Sequence, residues 1–308
     1  MAGRRPTALV AVTGAALVAA AVAWSRASGS AVALRRGTFP NGMDYAVAGS
    51  GAKVLLFTQG GPGSEAPAGS IVSRLHPWVA PLVGAGFTVW IVTRRRGMPA
   101  GHAVADMADD YARLISEEFG GRVDVVLGES FGGLIVQYLA ARHPTCCDRV
   151  VILSAACEVS AWGKDVDRRL LAALEAGEWA EAGAAFAEYL LPGDRTRWVR
   201  RMLGPLTGRM LTRRTYPVSD VGVETQAELG FDSRAVLPEI AVPVLLVCGD
   251  RDLFFPKALV AETARLIPDC VLVWRPGQGH AKTTTDRRTA HDLLAFVNRR
   301  QAGDGDRA

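Results

Sequence analysis

The sequence predicts an α/β fold, with a mostly parallel central sheet, helices on both faces and one helical insertion. Three observations carry this. Short, nearly continuous apolar runs recur along the chain, as in strands covered on both faces. Helical stretches separate them, and that alternation specifies a parallel sheet. The rhythm breaks once, between Ser154 and Val242, over far more chain than the dozen or so residues a crossover needs. With 308 residues, 49% of them apolar and 21% charged, the chain can bury a full core, which argues against disorder.

The first element lies outside this alternation. Arg4-Arg5 precedes a stretch from Ala8 to Trp24 that has no charged residue. Such a run is longer than most signal-peptide cores and near the lower limit for a spanning helix. Ala21-Val22-Ala23 fits a cleavage site, as does Ser25-Arg26-Ala27. Residues 1–27 are therefore expected to be a signal peptide or a retained membrane anchor. Either places the remainder outside the cytoplasm, secreted or membrane-anchored.

Strands follow at Met43 to Ala48, Val54 to Phe57, Phe87 to Val92, Val123 to Leu127, Val150 to Leu153, Val244 to Val247 and Val271 to Trp274. Helices are expected at Val104 to Phe119, Leu134 to Arg142, Ala258 to Ile267 and Arg287 to Val297. Within the long interruption, Val166, Leu170, Leu171 and Leu174 share a helical face, and Trp179, Ala182, Phe186, Tyr189 and Leu190 share another. Trp198, Val199, Met202 and Leu203 indicate a third helix. The expected organisation is a core over 37–157 and 236–300, an insertion over 158–235 and a disordered tail over 301–308.

Several function classes fall away at this level. The net charge is only +4 and the arginines are scattered, so no nucleic-acid partner is expected. Five cysteines in a chain this long make no disulfide framework, and none has metal-ligand spacing, so no metal is expected.

Gly128-Glu129-Ser130-Phe131-Gly132 matches G-x-S-x-G. The pattern alone is weak, but here a strand runs into it and a helix leaves it. A serine on so sharp a turn takes a strained backbone, and flanking glycines remove the Cβ clashes. Its Oγ is exposed, and the following N–H groups sit at the positive end of a helix. Thr58-Gln59-Gly60-Gly61-Pro62-Gly63-Ser64 follows an earlier strand. The N–H groups of Gly61 and Phe131 are the candidate oxyanion donors. That loop lacks the Lys-Ser/Thr ending of a P-loop and the spacing of a dinucleotide fingerprint, so no nucleotide cofactor is expected.

Two further strand ends carry the remaining candidates: Gly249-Asp250-Arg251-Asp252, and Pro276-Gly277-Gln278-Gly279-His280. Parallel α/β sheets bind their ligands at such ends. The order Ser130, then an aspartate, then His280 suits nucleophilic catalysis. Asp250 and Asp252 have the same parity, so alternation cannot choose between them.

From about residue 37 to 300 the chain resembles the α/β-hydrolase fold family. The resemblance rests on the G-E-S-F-G elbow, the Q-G-G-P-G loop, the G-D-R-D-L-F-F-P loop and the P-G-Q-G-H loop. It implies that Ser130 is the nucleophile, His280 the base and, through the pattern G-x-x-D, Asp252 the acid. It makes the insertion a cap. Two departures stand out. Gln59 occupies the place of a common histidine, and Thr93-Arg94-Arg95-Arg96-Gly97 replaces D-x-R-G, changing a shared structural contact.

The expected activity is cleavage of a carboxylic ester in a small-molecule acyl substrate, through an acyl-enzyme and without cofactor. Dehalogenase and epoxide hydrolase chemistry would need aspartate at Ser130. The cap residues Trp162, Trp179, Phe186 and Trp198 point to an uncharged, partly hydrophobic substrate. Two alternatives stay open. One is a peptidase or amidase resembling proline iminopeptidases, in which Glu175, Glu178, Glu181, Glu188 or Asp194 holds a free amine. The other is a non-catalytic binding or sensor protein.

Overall fold

The computed structural model describes residues 32–212 and 216–299. The expected leader, 1–27, and tail, 301–308, lie outside them. Among the described residues, no helix is long and apolar enough to cross a membrane.

Eight strands form one sheet: β1 (Leu34–Thr38), β2 (Asp44–Ala48), β3 (Lys53–Thr58), β4 (Phe87–Val92), β5 (Val123–Glu129), β6 (Cys147–Leu153), β7 (Val244–Gly249) and β8 (Cys270–Arg275). Their spatial order is β1-β2-β4-β3-β5-β6-β7-β8. β1 pairs antiparallel with β2, and β2 with β4; every later pairing is parallel. The runs are apolar throughout because successive residues face opposite sides and both sides are covered. Leu56, Val126, Ile152 and Leu246 enter one core with α3 (Val104–Glu118), α4 (Phe131–Arg142) and α9 (Lys257–Leu266). Their neighbours Leu55, Phe57, Val125, Leu127, Val151 and Val247 enter the opposite core. There they meet α1 (Gly69–Leu75), α2 (Val79–Gly84) and α11 (Arg288–Val297).

The insertion between β6 and β7 holds four α-helices: α5 (Ala161–Glu175), α6 (Trp179–Glu188), α7 (Arg197–Leu211) and α8 (Val218–Leu229). At its neck Glu158 bridges Asp232 in antiparallel fashion, and Arg234 binds Glu158, Asp232 and Glu262 at 3.0, 2.7 and 2.8 Å. The third expected helix is present, with Val199 and Leu203 half-buried. Trp198 and Met202 point to solvent while Gly204 and Gly208 are buried. Backbone meets backbone there: a Cβ on Gly208 would stand 1.9 Å from the Trp179 carbonyl oxygen. The two glycines therefore bring α7 close against α6, with Arg200 and Leu211 also buried and Trp198 and Met202 on the outer side.

Register brings the loops that matter together. Thr58, ending β3, pairs with Gly128 near the end of β5, and Gly249, ending β7, pairs with Arg275, ending β8. The loops after β3, β5, β7 and β8 thus open on one edge, beneath the cap.

Candidate active site

Ser130 sits between β5 and α4 with φ 52° and ψ −119°, a backbone conformation costing about 1–3 kcal/mol for a residue with a Cβ. Close packing holds it there. A Cβ on Gly132 would lie 2.1 Å from the Thr58 carbonyl oxygen, and one on Gly128 would lie 2.3 Å from that of Gly132. The Ser130 N–H donates to the Leu153 carbonyl at 2.9 Å. Glycine on both sides lets β3, β5 and α4 close around the turn.

His280 opens the short helix α10 (His280–Thr284), which Trp78 anchors by donating from Nε1 to the Thr284 carbonyl at 3.2 Å. Nε2 of His280 lies 2.9 Å from Ser130 Oγ, and Nδ1 lies 2.8 Å from Asp252 Oδ2. The other Asp252 oxygen accepts from the Phe254 and Phe255 N–H groups at 2.9 and 3.1 Å. The carboxylate is thus buried with both oxygens engaged. Burial favours neutral His280, but the charge of Asp252, its hydrogen bond and the charge of Glu129 outweigh that and hold the imidazole pKa above its ordinary value. Asp250 has a different task. Its Oδ1 accepts from the Gly277 N–H at 2.6 Å, tying the two loops together.

The loop after β3 is held from behind by Arg94, which is 1% exposed. Arg94 donates to the Gln59 carbonyl at 2.8 Å and the Gly60 carbonyl at 3.4 Å. It pairs with Glu224 of α8 at 2.6 Å, and its guanidinium lies 4.8 Å from the Phe131 ring centre. Glu224 also accepts from the Gly63 N–H. A trans peptide sets N–H opposite C=O, so the Gly61 N–H points away from Arg94. Among the described residues, neither that N–H nor that of Phe131 donates to a backbone carbonyl. The departure from D-x-R-G thus has its own contacts: Arg96 binds the Ser64 carbonyl at 2.8 Å and Asp44 at 3.0 Å. Gly97 and Met98 donate to Asp220 of α8, each at 3.0 Å.

A cavity of about 280 Å³ adjoins Ser130 and His280, lined by Gln59 to Gly63, His76, Glu129, Leu75, Phe186, Tyr189 and Leu190. Several expectations about its lining need correction. Of the four cap aromatics, only Phe186 lines it. Trp179 and Trp198 are exposed, and Trp162 packs its ring on Phe254. None of Glu175, Glu178, Glu181, Glu188 and Asp194 lines it either. Four are exposed, and Glu188 is buried between Arg169 and Arg200 at 2.9 and 3.2 Å.

Sequence reasoning missed Tyr189, His76 and Glu129 as cavity residues. Glu129 was visible as the second position of the elbow; His76, 3.2 Å from it, belongs to no motif. Tyr189 stacks parallel on Phe254 at 5.0 Å, and Phe254 lies 5.3 Å from His280. Behind it the hydroxyl donates to buried Asp167. Gln59, in the place of the common histidine, has a buried Oε1 with no hydrogen-bond partner among the described residues.

A Yersinia enterocolitica protein provisionally named carbamate hydrolase RutD is 27% identical over 202 residues, 64% of this chain and 70% of that one. The enol-lactonase of Burkholderia xenovorans superposes with a TM-score of 0.66 at 20% identity, covering 86% of this chain and all of that one. An alpha/beta hydrolase enzyme from a Medee basin deep-sea metagenome library gives 0.69 at 17%, covering 87% and 98%. The model of the alpha/beta hydrolase fold matches residues 29–281, and the chain belongs to that family.

Proposed function

We propose that this hydrolase cleaves a carboxylic ester by nucleophilic catalysis at Ser130. Oγ attacks the acyl carbonyl while His280 Nε2 takes its proton. Asp252 fixes the tautomer by accepting from Nδ1–H and stabilises the imidazolium that forms. The oxyanion lies on the Gly61 and Phe131 N–H groups, each worth about 3 kcal/mol of barrier by analogy with a single oxyanion donor. Collapse expels the alkoxide, which leaves with the proton from Nε2, and water clears the acyl-enzyme by the same steps. The observation that carries this is the continuous hydrogen-bonded row Asp252–His280–Ser130. A binding or sensor protein has no need of that row. The apolar walls given by Leu75, Phe186 and Leu190 favour an uncharged acyl or alcohol group.

The expected outcome for Ser130→Ala is loss of p-nitrophenyl ester hydrolysis with an unchanged melting temperature. Near-wild-type turnover would remove Ser130 from the nucleophile's role. A second reading, cleavage of an acyl–nitrogen bond, draws on the relatives named carbamate hydrolases. Assaying p-nitrophenyl esters beside aryl carbamates and aminoacyl anilides separates the two, and kcat/KM highest on the nitrogen substrates would displace the ester proposal. We further propose an extracytoplasmic location through residues 1–27; full-length protein recovered uncleaved in the cytoplasm would contradict it.

A further inference from the structure

Among the described residues, the outer face of helix α7 packs against no other element. Trp198, Met202, Leu206 and Met210 recur every four residues and are each between 49% and 61% exposed. A step of four advances about 40° around an α-helix, so they form one slowly turning apolar stripe. The opposite face, with Gly204 and Gly208, is committed to α6. Four consecutive turns of large exposed apolar side chains are not the scattered apolar exposure of an ordinary surface.

The charges around the stripe select its occupant. Residues 197–211 contain four arginines and no acid; Arg200 is buried against Glu188, which leaves Arg197, Arg201 and Arg209 at the surface. Arg201 and Arg209 are exposed and, among the described residues, pair with no carboxylate. A second copy of the same face would set arginine against arginine. The apolar segment of residues 1–31 would fare no better, because it contains no acidic residue either. An anionic lipid surface satisfies both components, accepting the apolar side chains and neutralising the guanidinium groups.

The route of the chain supports the same occupant. The described residues start at Val32, whose N–H donates to Ser73 of α1 at 3.0 Å. That helix bears exposed Ile71 and Leu75, and Leu75 lines the cavity. From Trp24 to Val32 the chain reaches no more than about 29 Å. A bilayer that held the apolar segment would therefore lie within that reach of Val32. We infer that the exposed face of α7 docks on an anionic bilayer.

The test uses the full chain in phosphatidylcholine vesicles with and without phosphatidylglycerol, and reads hydrogen exchange of peptides covering 197–211. Exchange is expected to slow about tenfold only where phosphatidylglycerol is present. Arg201→Ala with Arg209→Ala, both exposed, should abolish that dependence, and Met202→Glu with Leu206→Glu should abolish the protection. No protection on either vesicle overturns the inference. Protection on both that varies with protein concentration would assign the face to a second copy. Protection on both that is independent of concentration and of the arginines would assign it to the chain's own N-terminal segment.

Discussion

The core side of the site and the cap side are built on different principles. Ser130, Asp252 and His280 stand on loops that leave a sheet buried on both faces, so apolar strands on either side fix their positions. The cap combines apolar packing with charge: Trp162, Tyr189, Val223 and Ala227 pack against the main core. Its own apolar cluster is small, with Leu170, Ala173, Ala182, Ala185 and Leu211 fully buried. Helix α8 instead turns Asp220, Glu224 and Glu228, spaced four apart, inward. Two of these reach the core directly, Asp220 at the Gly97 and Met98 N–H groups and Glu224 at Arg94 and Gly63. The pocket roof is thereby coupled to the loop carrying the Gly61 N–H by a buried ion pair, which is sensitive to loss of either partner. One half of the site is fixed by burial alone, and the other adds a polar joint to its apolar contacts.

The largest expected effect lies on the core side. Asp252→Asn should lower kcat by up to ~10⁴, because the amide presents NH₂ where His280 needs an acceptor. KM should change little. Asp250→Asn should cost far less activity and act through the turn that holds Gly277. Measuring kcat and melting temperature for both variants checks this; a crippled Asp250→Asn beside a normal Asp252→Asn would reverse the two roles.

The joint comes next. Glu224→Ala leaves Arg94 buried without its counter-charge and should lose about 3–5 kcal/mol of stability. Because the Gly63 N–H also loses its acceptor, kcat should fall as well. Urea unfolding and ester turnover report the two. A variant as stable as wild type would mean that the cap is not joined there.

The cap interior gives the smallest effect. Burial raises the pKa of Asp167 to about 7, against the opposing hydrogen bond from Tyr189. Burial and the charge of Asp167 push Glu228 up in turn. A carboxyl whose folded pKa lies above its unfolded value of about 3.9 stabilises fully below that value, and loses its contribution as pH rises through the folded one. Asp167→Asn keeps an acceptor for Tyr189 and removes this loss. Its melting temperature should therefore gain more over wild type at pH 8 than at pH 5. Equal gains would show that Asp167 does not titrate in the folded protein over this range.

The same division explains what was legible in the sequence. The strands from β2 onward were readable because two-sided burial makes them continuous runs. The elbow was readable because a strand and a helix flank it. β1 was not, since an edge strand reading Leu34-Arg35-Arg36-Gly37-Thr38 has no such run. α8 was missed because its inward face holds acids, inverting the period that marks a helix. In α7 two glycines share the buried face with Arg200 and Leu211, so the helix was legible but the side it buries was not. The choice between Asp250 and Asp252 came from family resemblance, since alternation along the strand treats them alike; in the structure it is Asp252 that lies against His280 Nδ1.

The most direct test of the central claim is peptide mapping after treatment with a fluorophosphonate. Attack by an activated serine predicts one adduct, on Ser130, abolished in His280→Ala, whose nucleophile has lost its base. An adduct on another residue, or undiminished labelling of Ser130 in His280→Ala, would contradict the account.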